Sequence, residues 1–428
     1  MEQSIGVVGL WHLGCIIGTS WATLGNKVIG FDYDVNRVAN LKSGNPPLYE
    51  PGLKEAIDEN MARNRLLFTN DISELSQCDF IFLSYDTPVR DDDSTDATIL
   101  TDSVNDLKSI MTNGSIVIVS SQSPAGFCRE LRTILQTANS SLDIAYSPEN
   151  LRLGEALECY MKPGRIILGT ADSNTELRCR GLFSQIDADL LCMNLESAEM
   201  VKHGINAFLA NSIVFANHLA DICESKGALI DDVVRGMKTD PRIGAKAYLA
   251  PGIGFSGGTL GRDLKVLESV NDANNGFARL FGLIHEMNGE RKTAIVQRIK
   301  RILAPLKGKK IAVLGVTYKP GTSTLRRSLP LEIVELLVFD EATVNVFDPK
   351  ADYTELADSQ RFTVCTSVTD ALAGADMAVL LTEWNDFKAI DWMKEKAVMS
   401  EAVIFDTKNF LDATFLRSIG YTYYSVGR

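Results

Sequence analysis

The stretch SIGVVGLWHLGCIIGTSWATLGNKVIGFD (Ser4–Asp32) decides the fold. Ser4–Leu10 is a short apolar run of the kind that makes a buried parallel strand. Trp11–Gly14 is a turn, Cys15–Leu24 has a helical pattern, and Gly25 is placed to cap it. Lys27–Phe31 reads as a second strand that ends on Asp32. Gly9 and Gly14 flank the turn, and an acid follows about 20 residues on. In this strand–turn–helix context a dinucleotide puts its pyrophosphate on the helix N-terminus and its adenosine ribose on the acid. Asp32 favours NAD over NADP, because a 2′-phosphate would meet a carboxylate. The middle glycine of the pattern is replaced by Trp11, so a second reading stays open: a βαβ unit that uses Gly9 and Gly14 only for the turn and for close packing.

Outward from this stretch, strand-like runs recur at Phe80–Ser84, Ser115–Ser120, Leu142–Tyr146 and Arg165–Gly169, with helical segments between several of them. Alternation of this kind predicts an α/β, doubly wound, Rossmann-like domain over residues 1–195. Glu196–Lys226 carries an apolar stripe (Met200, Ile205, Phe208, Leu209, Ile213, Phe215, Leu219) that predicts one long helix. The glycine-rich stretch Pro251–Gly261 interrupts the pattern, and helical spacing returns from about Asp263 to Leu303. Residues 196–303 are therefore read as a central helical domain. PLKGKK (Pro305–Lys310) is a turn-forming break. Beyond it Ile311–Val316, Val344–Phe347, Met377–Thr382 and Val403–Phe405 predict a second, smaller Rossmann-like domain over residues 304–428.

Composition narrows the function classes. The chain has 428 residues, 45% apolar and 23% charged, within the ordinary range of globular proteins. With 43 Lys and Arg against 55 Asp and Glu, the net charge of −12 argues against nucleic acid as a partner. No uncharged apolar run reaches the ~18–20 residues of a membrane span, so no membrane role is expected. MEQSIGVVGL carries Glu2 and no basic leader, so it does not read as a signal peptide. The eight cysteines are dispersed without a CxxC pair, and only four histidines are present; the expectation is a reducing, cytoplasmic setting and no metal site.

Several further motifs are specific. LKSGNPPLYEPGL (Leu41–Leu53) resembles the "LN-G-PIYEPGL" segment of the UDP-glucose/GDP-mannose dehydrogenase family. Thr87-Pro88 is similar to that family's "TP", Ser147–Gly154 (SPENLRLG) to "NPEFLREG", and Ala198–Asn206 (AEMVKHGIN) to "AElvKyaxN". Asp240–Gly244 (DPRIG), Tyr318–Thr322 (YKPGT), Thr382–Trp384 (TEW) and Asp406–Asn409 (DTKN) follow in the same order. The resemblance spans the whole chain. It implies an NAD domain, a helical dimerisation segment, hence a homodimer, and a C-terminal nucleotide-sugar domain. The family's usual reaction oxidises C6 of a nucleotide hexose twice, with two NAD, the second step passing through a cysteine thiohemiacetal and thioester.

At the family's catalytic loop, "PGxGFGGSCFPKD", this chain has PGIGFSGGTLGRD (Pro251–Asp263), with Thr259 in place of the cysteine. A threonine hydroxyl is a far weaker nucleophile than a thiol unless a base activates it. The nearest cysteine in sequence, Cys223, falls in the predicted long helix. Other departures cluster with this one: Leu153 at a glutamate, Gln122 at a threonine, Arg262 at the lysine before Asp263, and Ser323 and Thr324 at two aspartates.

Matched residue by residue, the resemblance implies a catalytic set of Lys202, Asn206, Glu149 and Asp263, with Thr259 at the nucleophile position. Lys202 and Asn206 are four residues apart, one helical turn, and share a face. There the lysine stabilises a developing alkoxide, and Glu149 serves as a base through water. The implied NAD residues are Gly9, Gly14, Asp32, Arg37, Thr87, Arg262 and Arg326. The implied sugar-nucleotide residues are Leu151, Arg242, Tyr248, Gly254, Phe255, Tyr318 and Lys319, with Arg242 reaching a neighbouring subunit. His203 is read as structural, while Trp11 and His12 are open between stacking on the cofactor and packing. Two functions are weighed: an NAD-dependent nucleotide-sugar dehydrogenase, with a form that stops after two electrons among its variants, and a nucleotide-sugar-binding protein without catalysis.

Overall fold

In a computed structural model, the structure describes residues 3–85, 96–112, 114–148, 151, 152, 154–269, 279–356 and 361–428. The chain divides into two compact units, Met1–Gly204 and Ile205–Arg428.

The first unit is built on an eight-stranded sheet: β1 (Ser4–Val8), β2 (Lys27–Phe31), β3 (Leu66–Thr69), β4 (Phe80–Leu83), β5 (Ile116–Val119), β6 (Asp143–Tyr146), β7 (Ile166–Thr170) and β8 (Leu190–Asn194). The order is β3-β2-β1-β4-β5-β6-β7-β8. All neighbours are parallel except β6 and β7. The first six strands have the dinucleotide-fold order, with its switch point between β1 and β4. Both faces of β1 are covered. Ile5 and Val7 pack with Ile16, Ile17 and Trp21 of the helix His12–Thr23, and Val8 packs with Leu100, Val104 and Leu131 on the opposite face. This two-sided burial is why β1 reads as a continuous apolar run rather than an alternating one.

The second unit carries a six-stranded, wholly parallel sheet: β9 (Lys310–Leu314), β10 (Thr343–Phe347), β11 (Thr363–Val364), β12 (Met377–Leu380), β13 (Val403–Asp406) and β14 (Thr422–Ser425). Its order, β11-β10-β9-β12-β13-β14, repeats that of the first six strands of the other sheet.

The predicted long helix is present as Leu195–Lys226, and the division between the units falls within it. The helical stretch expected from Asp263 to Leu303 appears as Thr259–Ser269 and Arg279–Leu303; residues 270–278 lie outside the described residues. Strands β3, β8, β11 and β14 and the helices Val35–Lys42 and Leu53–Ala62 add to the elements read from sequence. No helix of the described residues is long and apolar enough to cross a membrane.

Candidate active site

In the first unit, the turn after β1 brings Gly9, Gly14, Asp32 and Arg37 together. Gly9 has φ +92°, a backbone region that disfavours side chains, and its N–H donates to Phe31 O at 3.0 Å. A Cβ on Gly14 would lie 1.8 Å from Gly9 O, so the helix starts against the turn with no room for a side chain. Asp32 is buried at the end of β2. Its Oδ2 accepts the Leu10 N–H at 2.7 Å and Arg37 Nη1 at 2.7 Å, while Oδ1 accepts the Asp34 N–H at 2.9 Å. Ser84 Oγ donates to Gly9 O at 2.9 Å and ties the turn to the end of β4. The first N–H groups of a helix have no acceptor within it, so the start of His12–Thr23 is suited to a pyrophosphate. With the acid in place for a ribose, these residues fit a dinucleotide. Cys15, in the same turn, packs: burial, reinforced by the Asp32 charge, pushes its thiol up to about 12, and Sγ donates to Leu10 O.

Two carboxylates brace the neighbouring loops. Glu50 is buried; it pairs with His12 Nε2 at 3.0 Å and accepts the N–H groups of Gly154 and Ala156 at 3.1 and 2.8 Å. It thereby joins the YEPG segment, the dinucleotide turn and the segment after Leu153. Glu199, on the long helix, accepts the N–H groups of Gly126 and Cys128 at 2.6 and 2.8 Å and caps the helix Phe127–Ala138. Burial raises the Glu199 carboxyl above its ordinary value. One turn on, the buried His203 Nε2 lies 2.9 Å from Ser123 O, in keeping with a structural role. The loop that carries Gln122 is thus pinned to the helix that carries Lys202, which is half-buried.

In the second unit, Asn206 donates from Nδ2 to the carboxylate of Asp263, which is wholly buried. The glycine-rich loop is held by three side chains at two places, Gly252 and Phe255. Asn288 makes paired bonds to the Phe255 backbone (N–H to Oδ1 2.8 Å, Nδ2 to O 2.9 Å). Asn217 Oδ1 accepts the Gly252 N–H at 2.7 Å, and Arg291 Nε donates to Gly252 O at 2.9 Å. Gly254 has φ +105°, and a Cβ there would sit 2.5 Å from Asn288 Oδ1. The loop continues onto the second sheet: the Gly257 N–H donates to Arg327 O at 3.0 Å, and the Leu329 N–H to Ser256 Oγ at 2.8 Å. A Cβ on Gly257 would lie 3.1 Å from the Tyr318 ring, and Lys319 Nζ stands 5.5 Å from the centre of that ring. Thr259 is exposed and is the first residue of the helix Thr259–Ser269, with Arg262 one turn in.

Asn206 with Asp263, and Gly254 and Phe255 with the loop that reaches Tyr318, are therefore brought together within this unit. Arg326 is exposed; its backbone N–H donates to Glu355 at 3.0 Å. Arg242 is held bidentately by its own Asp240, at 3.0 and 2.6 Å, on a largely exposed side chain. Tyr248 is half exposed, and Leu151 packs on the core of the first unit. Glu149 and Thr87 lie outside the described residues. Asn217, Asn288 and Arg291 belong to none of the sequence motifs above. Their signal in sequence is faint: polar residues on the inward stripe of long helices.

The chain matches three parts of one family, the UDP-glucose/GDP-mannose dehydrogenases: the NAD binding domain at residues 3–187, the central domain at 196–290 and the UDP binding domain at 312–413. It is 32% identical to UDP-glucose 6-dehydrogenase TuaD of Bacillus subtilis (strain 168), over 100% of this chain and 93% of that one. It is 30% identical to a UDP-glucose 6-dehydrogenase of Rhizobium meliloti (strain 1021), over 100% of both chains. Among solved structures, a UDP-glucose dehydrogenase from Pyrobaculum islandicum superposes with a TM-score of 0.87 at 27% identity, covering 100% of this chain and 98% of that one. The chain belongs to the UDP-glucose/GDP-mannose dehydrogenase family. It is an NAD-dependent nucleotide-sugar dehydrogenase.

Proposed function

We propose that the substrate is a UDP-hexose, with UDP-glucose the first candidate, and that the enzyme removes two electrons from it rapidly and a second pair slowly or not at all. The UDP binding domain and the names of the relatives support the substrate class. The observation that carries the electron count is the exposed Thr259 at the head of its helix, in the position matched to the family thiol.

NAD, when bound, accepts the hydride. The protein's residues manage the proton and the charge. Lys202 stabilises the alkoxide as the hydroxyl proton leaves toward water held by Glu149. Asp263 fixes the Asn206 amide. An amide nitrogen carries two N–H groups, so the one not bonded to Asp263 serves the same substrate oxygen. A second oxidation needs the aldehyde turned into a tetrahedral adduct, which a threonine hydroxyl forms poorly. An aldehyde is then the expected product. The alternative, a nucleotide-sugar-binding protein without catalysis, predicts no NADH at all.

We also infer a homodimer formed through the long helix. Phe208, Phe215 and Ile222 recur at seven-residue intervals on its exposed face and are 67, 47 and 58% exposed. An apolar stripe of this spacing suits the same helix of a second copy.

The test is stoichiometry. UDP-glucose and NAD are mixed with the enzyme, NADH is counted per sugar consumed, and aldehyde is trapped with a hydrazide and identified by mass. One NADH per sugar with trapped aldehyde is expected. Two NADH per sugar from the first turnover, without aldehyde, overturns the two-electron reading, and no NADH with any UDP-sugar favours the binding protein.

A further inference from the structure

Trp11 occupies the place of the middle glycine of the dinucleotide turn, and its indole is 39% exposed. The Arg37 guanidinium lies over that ring, 5.3 Å from its centre, and reaches Asp32 through Nη1 at 2.7 Å. A second contact, Nη2 to Asp34 Oδ2 at 3.6 Å, is longer. Three side chains thus converge at the end of β2, on the acid suited to the adenosine ribose.

An unpaired carboxylate here would exclude a 2′-phosphate by repulsion. Asp32 is paired, and pairing removes most of that repulsion. An arginine at this place is moreover the group that accommodates a 2′-phosphate in NADP-binding proteins. Charge at Asp32 alone therefore does not discriminate. What remains is where the guanidinium can go. Arg37 sits in the first turn of the helix Val35–Lys42, and its side chain is 27% exposed. An arginine so placed has the rotamer freedom to swing toward solvent and meet a phosphate.

We infer that Trp11 is a specificity-determining residue of the cofactor site: it pins Arg37 flat on Asp32. The fixed pair offers a ribose hydroxyl one acceptor and one donor, which suits a diol, and it keeps the guanidinium from turning out to a phosphomonoester. Trp11 acts through Arg37 and is in that sense a positioning residue. This rests on the dinucleotide reading of the turn.

The experiment is calorimetric titration of the full chain with NAD and with NADP, for the wild type, Trp11→Ala, Trp11→Leu, Trp11→Phe, Arg37→Ala and the double variant Trp11→Ala/Arg37→Ala. The wild type is expected to prefer NAD. Trp11→Ala and Trp11→Leu are expected to lower the NAD-to-NADP affinity ratio about two- to fivefold, the weight of an exposed cation–π contact, chiefly by tighter NADP binding. Trp11→Phe, which keeps a ring, should hold the ratio near the wild type. In the Arg37→Ala background the Trp11 effect should vanish. Trp11→Leu retains apolar bulk at the turn, so the ratio can be read even if Trp11→Ala does not fold. Equal shifts in both affinities, as steric obstruction of the pyrophosphate would give, overturn the inference. Binding of neither dinucleotide to the wild type would overturn the cofactor assignment itself.

Discussion

Asn206 donates its side-chain amide to the Asp263 carboxylate, and both groups are buried: Asp263 is 0% exposed and Asn206 7%. The bond joins the long helix to the helix that begins at Thr259. Asp263→Ala strands a buried amide donor, which costs about 1–3 kcal/mol. Asp263→Asn keeps shape and a hydrogen bond, so its denaturant midpoint should stay closer to wild type while NADH formation falls. Equal losses of stability in the two variants would contradict this.

Gly254→Ala faces two separate obstacles, the φ of +105° and the approach to Asn288 Oδ1. Forcing a side chain into such a region costs about 1–3 kcal/mol. The loop should shift off Asn288, and the KM for the sugar nucleotide should rise about tenfold or more. Steady-state kinetics at saturating NAD measure it.

Lys319→Ala should weaken UDP-sugar binding by about 1.5–3 kcal/mol, the scale of a hydrogen bond to a charged group. NAD affinity should persist, because Lys319 belongs to the UDP binding domain. Calorimetry with UDP and NAD in turn separates the two; equal loss of both would contradict the assignment.

Thr259→Cys places a thiol at the first residue of a helix, where the helix dipole favours the thiolate. If the loop still presents residue 259 to the reacting carbon, the product should move from aldehyde toward uronate and NADH per sugar toward two. Mass spectrometry of the product reports the change.

Trp21, Trp384 and Trp392 are 0, 7 and 4% exposed, which leaves Trp11 as the tryptophan open to solvent. Intrinsic fluorescence should therefore be quenched on NAD addition, and most of that response should disappear in Trp11→Phe.

How much of this could be read in the residues depends on burial geometry. β1, β4, β5 and β12 lie inside two-sided sheets and announce themselves as apolar runs. β8 does not: Leu191 is 46% exposed, and none of its residues is fully buried. β11 is two residues long, too short for any periodicity. The dinucleotide turn was legible because Gly9 and Gly14 answer to backbone constraints, and backbone constraints select one residue type. The clamp of Asn217, Asn288 and Arg291 was not, since a buried asparagine on a helix looks like any polar residue until its partner, a loop tens of residues away, is placed beside it.

The repeated strand order gives both sheets the same turn. Gly315, after β9, has φ +87° and donates to Phe347 O at 2.8 Å, as Gly9 does to Phe31. Asp348 stands where Asp32 stands. Its Oδ2, however, already accepts from the N–H groups of Val316 and Thr317, from Thr317 Oγ1 and from Trp384 Nε1, and its Oδ1 from Lys350 and Ala351. An acid saturated by its own chain has nothing to offer a ribose. Two sheets of one design thus carry different addresses: the acid after β2 keeps an arginine partner that a ribose can meet, while the acid after β10 is spent on its own turn.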